Sequence, residues 1–285
     1  MISDIMTHLV NALLLSSIYI IIALGFALVF SVMRIFNLAH GAIYMVGGYV
    51  CFFFWVELGL GPWISLLSTT LVMALFGLFL ERFCFRPFQR DFERAIVMAM
   101  AIIIILRTGA DLTVGPLGKG LPVLLRGRIE VGSISFSADR LVVLIICLVL
   151  LILLALFIKK TRVGQAMLAI AENRDVAALQ GININRISAL SCAIGCGLAG
   201  LSGGIVGSVL VLHVIMADIM LVKVIAVIIL SGIGTLGAIW SGGLILGTMD
   251  ALFPYFMSSA IAETLPLLLI VLILITRPQG LFGEE

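Results

Sequence analysis

Two sets of polar residues stand out in a chain that is otherwise apolar. The first is scattered: Asn37, His40, Lys223 and Asp250 interrupt or border long hydrophobic runs. The second is concentrated: Arg162, Gly164, Glu172, Asn173, Arg174, Asp175, Ala178 and Gly181 share one polar stretch between two such runs. A charged group inside a bilayer is costly, so polar groups in apolar runs are candidates for lining a solute pathway. Lys223, at the outer end of its apolar run, either snorkels to the headgroups or faces that pathway. Asp250, in Thr248-Met-Asp250-Ala, either serves a pathway or pairs with a neighbouring chain. Asn37 and His40 flank the junction of the first two runs, where His40 also suits a bracing role in the turn.

Catalytic chemistry finds no footing. His8, His40 and His213 are scattered, and neither H-E-x-x-H nor G-x-S-x-G occurs. Cys51, Cys84, Cys147, Cys192 and Cys196 make no C-x-x-C pair and no cluster at zinc spacing, so they read as small packing residues. A phosphate-cradling P-loop needs G-x-x-x-x-G-K-[ST]. Gly118-Lys119 is followed by Gly120, and position 113 is Thr. The expectation is no catalytic residue, no metal site and no cofactor bound by this chain. With a net charge of +2 and no basic patch interleaved with aromatics, nucleic acid is not an expected partner.

The elements that must position these residues follow from composition. Of 285 residues, 62% are hydrophobic and 11% charged, where a soluble domain carries about 25% charged residues. So few charges cannot build a wetted surface, which leaves a surface facing lipid. Crossing the hydrocarbon core of about 30 Å takes about 20 apolar residues in a helix. Apolar runs cover 9–33, 37–56, 62–83, 95–112, 141–158, 187–212, 220–237, 244–257 and 262–275. They predict an all-α polytopic membrane protein with eight spans, or nine if both pieces around Trp240 cross. No Lys or Arg precedes the first run, and that run is too long for a signal-peptide core, so it reads as a retained span. The late pieces are short and Gly-interrupted, as in broken helices that line a pathway.

Residues 1–285 thus form one transmembrane domain with two polar excursions. Residues 114–140 hold Gly, Pro and alternating segments that predict a small extracytoplasmic hairpin. Residues 161–186 fall on the same side as the charged hinge from Arg82 to Arg94, joined by Arg34 and Arg277, and that richer basic side is read as cytoplasmic. Within 161–186, Ala166 to Ala171 favour helix, a polar cluster interrupts, and a second short helix stops at Gly181, which suits a left-handed C-terminal position. The product is a small helix–turn–helix knob, either an ordinary loop or a docking element. Gly197, Gly200, Gly203, Gly204 and Gly207 recur on one helical face and mark a helix or subunit seam.

At this point the chain resembles a known family. Gly25-Phe-Ala-Leu-Val-Phe30 with Asn37-Leu-Ala-His40-Gly41, then Thr161-Arg162-Val-Gly164 with Ala178-Leu-Gln-Gly181-Ile-Asn183, then Lys223 and Ser231-Gly232-Ile-Gly234-Thr-Leu-Gly237, and finally Arg277-Pro-Gln-Gly-Leu-Phe-Gly283 are similar, in order, to the permease subunits of high-affinity branched-chain amino acid importers of the ATP-binding-cassette class. Ser31 and Ser231 stand where that family more often has Gly. The resemblance implies a multi-pass subunit of the bacterial inner membrane, bounded by membrane lipid. It implies a second homologous permease subunit, two ABC ATPase subunits that bind ATP and Mg, and a periplasmic solute-binding protein. The solute would be a branched-chain or other hydrophobic amino acid, or a related small polar solute such as urea, an amide or an organic acid. The residues at 161–186 would then be the ATPase-coupling segment. An ion-coupled secondary transporter is the rival reading, but such carriers need midplane carboxylates, and Asp250 is the one plausible candidate.

Overall fold

The computed structural model describes residues 2–89, 91–115, 117–125, 127–131, 134–232 and 236–277. Its helices are α1 (Ile2–Met33), α2 (His40–Phe52), α3 (Pro62–Phe79), α4 (Phe92–Val114), α5 (Ala138–Lys160), α6 (Arg162–Glu172), α7 (Arg174–Leu179), α8 (Ile184–Val209), α9 (Met216–Ser231), α10 (Ile239–Phe256) and α11 (Ser259–Thr276). The chain is an all-α polytopic membrane protein. The expected hairpin is present as well: β1 (Arg128–Val131) pairs antiparallel with β2 (Ile134–Ser137), Arg128 opposite Ser137. Residues 278–283 of the C-terminal tail motif, and 233–235 of the Gly-rich motif, lie outside the described residues.

Among the described residues, five helical stretches are long and apolar enough to cross a bilayer: His8–Met33, Pro62–Phe88, Phe92–Val114, Ala138–Lys160 and Ile184–Val209. The other apolar runs form helices too, α2 with 13 residues and α10 and α11 with 18 each. Helix α9 has 16 residues, a rise of about 24 Å against a core of about 30 Å. Helix α10 carries an internal Pro254 and several glycines. Burial separates the long helices. The apolar windows of α1 and α8 are 83% and 72% buried, those of α3, α4 and α5 only 33%, 22% and 28%. The first two are core; the other three present apolar faces outward, as lipid or a partner chain requires.

Local rules explain the breaks. Pro62 opens α3 at its first turn, where a missing amide hydrogen costs nothing. Helix α1 ends at Arg34, a non-glycine residue in the left-handed region (φ 56°). Helices α2 and α3 each finish in a wide turn with i→i+5 bonding, Phe53–Glu57 and Leu80–Phe85. Such turns displace the backbone and re-aim side chains.

Two compact units divide the chain. The larger comprises 24–122 and 152–221. Its centre is α8, and its glycine face is an intramolecular seam with α1, α2 and α3. A methyl group on Gly47 would overlap the Cα of Gly200, and one on Gly203 would overlap the Tyr44 carbonyl. A Cβ on Gly77 would lie 2.6 Å from the Cys192 carbonyl, and one on Gly195 would lie 2.7 Å from the Gly25 carbonyl. Backbones this close permit dispersion contact and weak polar contact where no hydrophobic drive exists between helices. Ser191 adds a hydroxyl bond to the Leu28 carbonyl at 2.7 Å. The smaller unit comprises 1–23, 123–151 and 222–285. There Gly247 meets Ser16 and Gly243 meets Ile20, bringing α10 against the start of α1. Asp139 accepts from the Leu124 amide at 2.7 Å and ties the hairpin segment to α5.

Candidate functional site

The polar residues resolve into two centres, one in each unit. In the larger unit the knob is built on caps. Thr161 opens α6 by accepting from the Gly164 amide at 3.0 Å. Asn173 ends α6 and opens α7, its Oδ1 accepting from the amides of Asp175 and Val176, each at 3.1 Å. One residue thus sets the turn between two helices. Gly164, Met167 and Ile170 form the buried stripe of α6, at the three-residue spacing of one helical face. Gly164 must be glycine: a Cβ there would sit 2.5 Å from the Ile158 carbonyl at the end of α5. Gly181 follows α7 with φ +82°, and its amide bonds the Ala178 carbonyl at 3.0 Å.

The outward face is different. Arg162, Glu172, Asp175 and Ala178 are exposed. At the tip, Leu179 is 88% exposed and Val176 is 47% exposed. Two apolar side chains on a six-residue helix cannot be explained by its own packing.

Behind the tip a polar chain runs back into the helices. Arg174 donates to Gln89 Oε1 at 2.8 Å. Gln89 donates to Glu81 Oε1 at 3.3 Å. Arg86 grips both oxygens of Glu81, at 3.1 and 2.7 Å. Glu81 is fully buried, carried inward by the wide turn that ends α3. Arg34 joins from α1, its guanidinium bonding the Ala171 carbonyl at 2.7 Å in the last turn of α6, where a cation complements the helix dipole. Arg86, Gln89, Arg174, Asp175, Asn183 and Asn185 line a polar cavity of ≈ 690 Å³ beside this chain. The arrangement can transmit a displacement of α7 to α3, because each side-chain link from Arg174 to Glu81 is a directional, charge-assisted hydrogen bond.

In the smaller unit Lys223 bonds both oxygens of Asp250, at 2.7 and 2.6 Å. Tyr19 donates to Asp250 Oδ2 at 2.6 Å. Both charged side chains are only 10% exposed. Helix α9 begins at Met216, earlier than the apolar run predicts, so Lys223 falls in mid-helix rather than at an outer end. The earlier start is supported by Asp218 in the first turn, which pairs with Arg107 of α4 at 2.6 Å.

Asn37 and His40 belong to the larger unit, Lys223 and Asp250 to the smaller. The His40 ring is fully buried and meets Phe26 edge-on at 5.6 Å. The Asn37 amide is buried, and its side-chain atoms have no hydrogen-bond partner among the described residues.

No solved structure matches this chain. A family model described as "Branched-chain amino acid transport system / permease component" matches residues 8–276. The chain belongs to that permease family. It is 31% identical to the high-affinity branched-chain amino acid transport system permease protein LivH of Salmonella typhimurium, over 96% of this chain and 94% of the relative. It is 30% identical to the corresponding protein BraD of Pseudomonas aeruginosa, over 97% and 95%. It is also 27% identical to LivM of Escherichia coli K12, another permease protein of such a system, over 94% of this chain and 68% of that one.

Several residues of this permease escape a reading of the sequence. Glu81, Arg86 and Gln89 are visible only as a charged hinge, and nothing in their spacing pairs them with Arg174, 85 positions away from Gln89. Tyr19 is one aromatic in an apolar run, and no signal marks it as the partner of Asp250. Arg34 reads as a topological marker, while its left-handed backbone and its bond to α6 have no signature in the sequence.

Proposed function

We propose that this permease is one of two homologous membrane subunits of an ATP-driven importer in the bacterial inner membrane. An external binding protein delivers the solute, and two ATPase subunits carrying ATP and Mg drive the cycle. The solute is a branched-chain or other hydrophobic amino acid, or a small relative such as an amide, urea or organic acid. The names of LivH and BraD as branched-chain amino acid permeases favour the amino acid. The similarity to LivM supports a sibling permease as partner.

The observation that carries the reading is the exposed apolar tip at Val176 and Leu179, tied through Arg174 and Gln89 to buried Glu81. An apolar pair presented on a rigid, capped knob seats in a groove of a partner subunit. Closure of the ATPase pair then pushes α7, and the polar chain passes the push to α3. In this reading Arg162, Glu172 and Asp175 are the charged rim of the contact, Gly164 fixes the knob on α5, Asn173 sets its turn, and Ala178 and Gly181 hold its end. Asn37 and His40 remain candidates for the solute pathway. Lys223 and Asp250, with Tyr19, hold α9, α10 and α1 in register. An ion-coupled carrier is disfavoured, because Asp250 is already paired with Lys223 and hydrogen-bonded by Tyr19.

Tagged purification in mild detergent, with bound proteins identified by mass spectrometry, tests the proposal. P-loop ATPases and a sibling permease in stoichiometric amounts are the expected result. A chain that purifies alone and moves solute into liposomes on an ion gradient defeats it.

A further inference from the structure

A second cavity in the larger unit, of ≈ 670 Å³, lies between α2 and α4 and takes no part in the polar chain at the knob. Its apolar wall comes from Val46 and Val50 on α2 and Ile105 and Leu106 on α4. One antiparallel helix separates α2 from α4 in the chain, so both run the same way and end on the same side. At that side the lining turns polar. The wide turn after α2 delivers Glu57, and the segment after α4 delivers Lys119. Lys119 is fixed by paired backbone bonds with Leu212, at 2.9 and 2.8 Å, and its ammonium stands 5.6 Å from the Phe52 ring centre. The Tyr49 hydroxyl, also in the lining, is buried and has no hydrogen-bond partner among the described residues. Among those residues neither Lys119 nor Glu57 makes an ion pair.

A long apolar cleft with one cation, one carboxylate and one unsatisfied hydroxyl at its end matches an amphipath with a zwitterionic head. A cavity of this volume suits a molecule well above the size of one amino acid. The flanking side chains Phe53 and Ile105 are 51% and 68% exposed, an apolar surface of the kind that meets lipid.

We propose that this cavity holds one phospholipid with an ethanolamine-type head. Its phosphate accepts from the Lys119 ammonium and the Tyr49 hydroxyl, which supplies the missing partner of that hydroxyl. Its primary ammonium donates to Glu57. One acyl chain lies along Val46, Val50, Ile105 and Leu106. The site is independent of the transport reading and requires only that the chain sit in a bilayer.

The test is native mass spectrometry of the full chain, in whatever complex it purifies with, after exchange into nanodiscs of phosphatidylethanolamine and phosphatidylglycerol. The wild type is expected to retain one phosphatidylethanolamine per chain. Lys119→Ala should lower its occupancy about tenfold through loss of a charge-assisted bond to phosphate, and Glu57→Gln should abolish the preference over phosphatidylglycerol. Gly109→Phe gives a second line of evidence. Its Cβ meets open space, so the ring fills the cavity without strain and should expel the lipid with both charges intact. Equal retention in wild type, Lys119→Ala and Gly109→Phe overturns the proposal, as does a free amino acid released from the wild type in place of lipid.

Discussion

Glu81 and Asp250 are both carboxylates sunk among apolar helices, yet their surroundings differ in kind. Asp250 is enclosed. Lys223 and Tyr19 satisfy it, and both charged partners are only 10% exposed. Glu81 is buried at one end of a chain of contacts whose other end is in solvent. Its partner Arg86 is 36% exposed, and the chain continues through Gln89 to Arg174 on a helix with a bare apolar tip. A closed pair resists change, since separating its charges in an apolar setting is costly. An open chain conveys change, since its outer end can be moved by a partner while its inner end is gripped.

The sharpest way to break this contrast is at Asp250. Asp250→Ala leaves the Lys223 ammonium buried and alone, at a cost of about 3–5 kcal/mol. The variant should be depleted from membranes and lose its gel-filtration peak at a lower heating temperature than wild type. Lys223→Met with Asp250→Leu together removes both charges and should recover most of that stability and of the uptake. If the double variant folds well but transports nothing, the pair is part of the pathway and the contrast fails.

At the knob the expected losses in stability are smaller and the losses in coupling larger. Gly181→Val forces a β-branched residue to φ +82°, a strain of about 1–2 kcal/mol borne by the end of α7 alone. ATP-driven uptake should fall while the chain stays folded; normal uptake would count heavily against Gly181 as a coupling residue. Arg174→Ala cuts the bond to Gln89 and should cost about 1 kcal/mol of stability. Its signature is kinetic: ATP hydrolysis persists and less solute is imported per ATP. An unchanged ratio would remove the polar chain from the mechanism.

Much of this architecture is legible in the sequence because lipid imposes simple rules. Long apolar runs mark α1, α3, α4, α5 and α8, Pro62 marks a helix start, and the alternation after Arg128 marks the hairpin. The spacing of Gly197, Gly200, Gly203 and Gly204 announces a close seam, though not its partners α2 and α3. What stays hidden is pairing across sequence distance. Lys223 and Asp250 are each conspicuous, but a bond spanning 27 positions and a third partner 231 positions away have no local signature. The wide turns that aim Glu81 inward and Glu57 into a cavity are likewise silent, because an i→i+5 turn differs from an α-turn by one extra residue and not by composition. The four scattered candidates looked like one set because they share a cost, burial in lipid. Helix packing sorts them into different surroundings.

The most direct test of the central claim is the tip itself. Leu179→Asp leaves every cap and every link of the polar chain intact and puts a charge where the apolar contact is placed. Tagged purification of this variant from membranes should recover the folded chain and its sibling permease with the ATPase subunits largely lost. ATPase subunits retained in the wild-type ratio, with unchanged uptake per ATP, would show that the knob is not where the permease is driven.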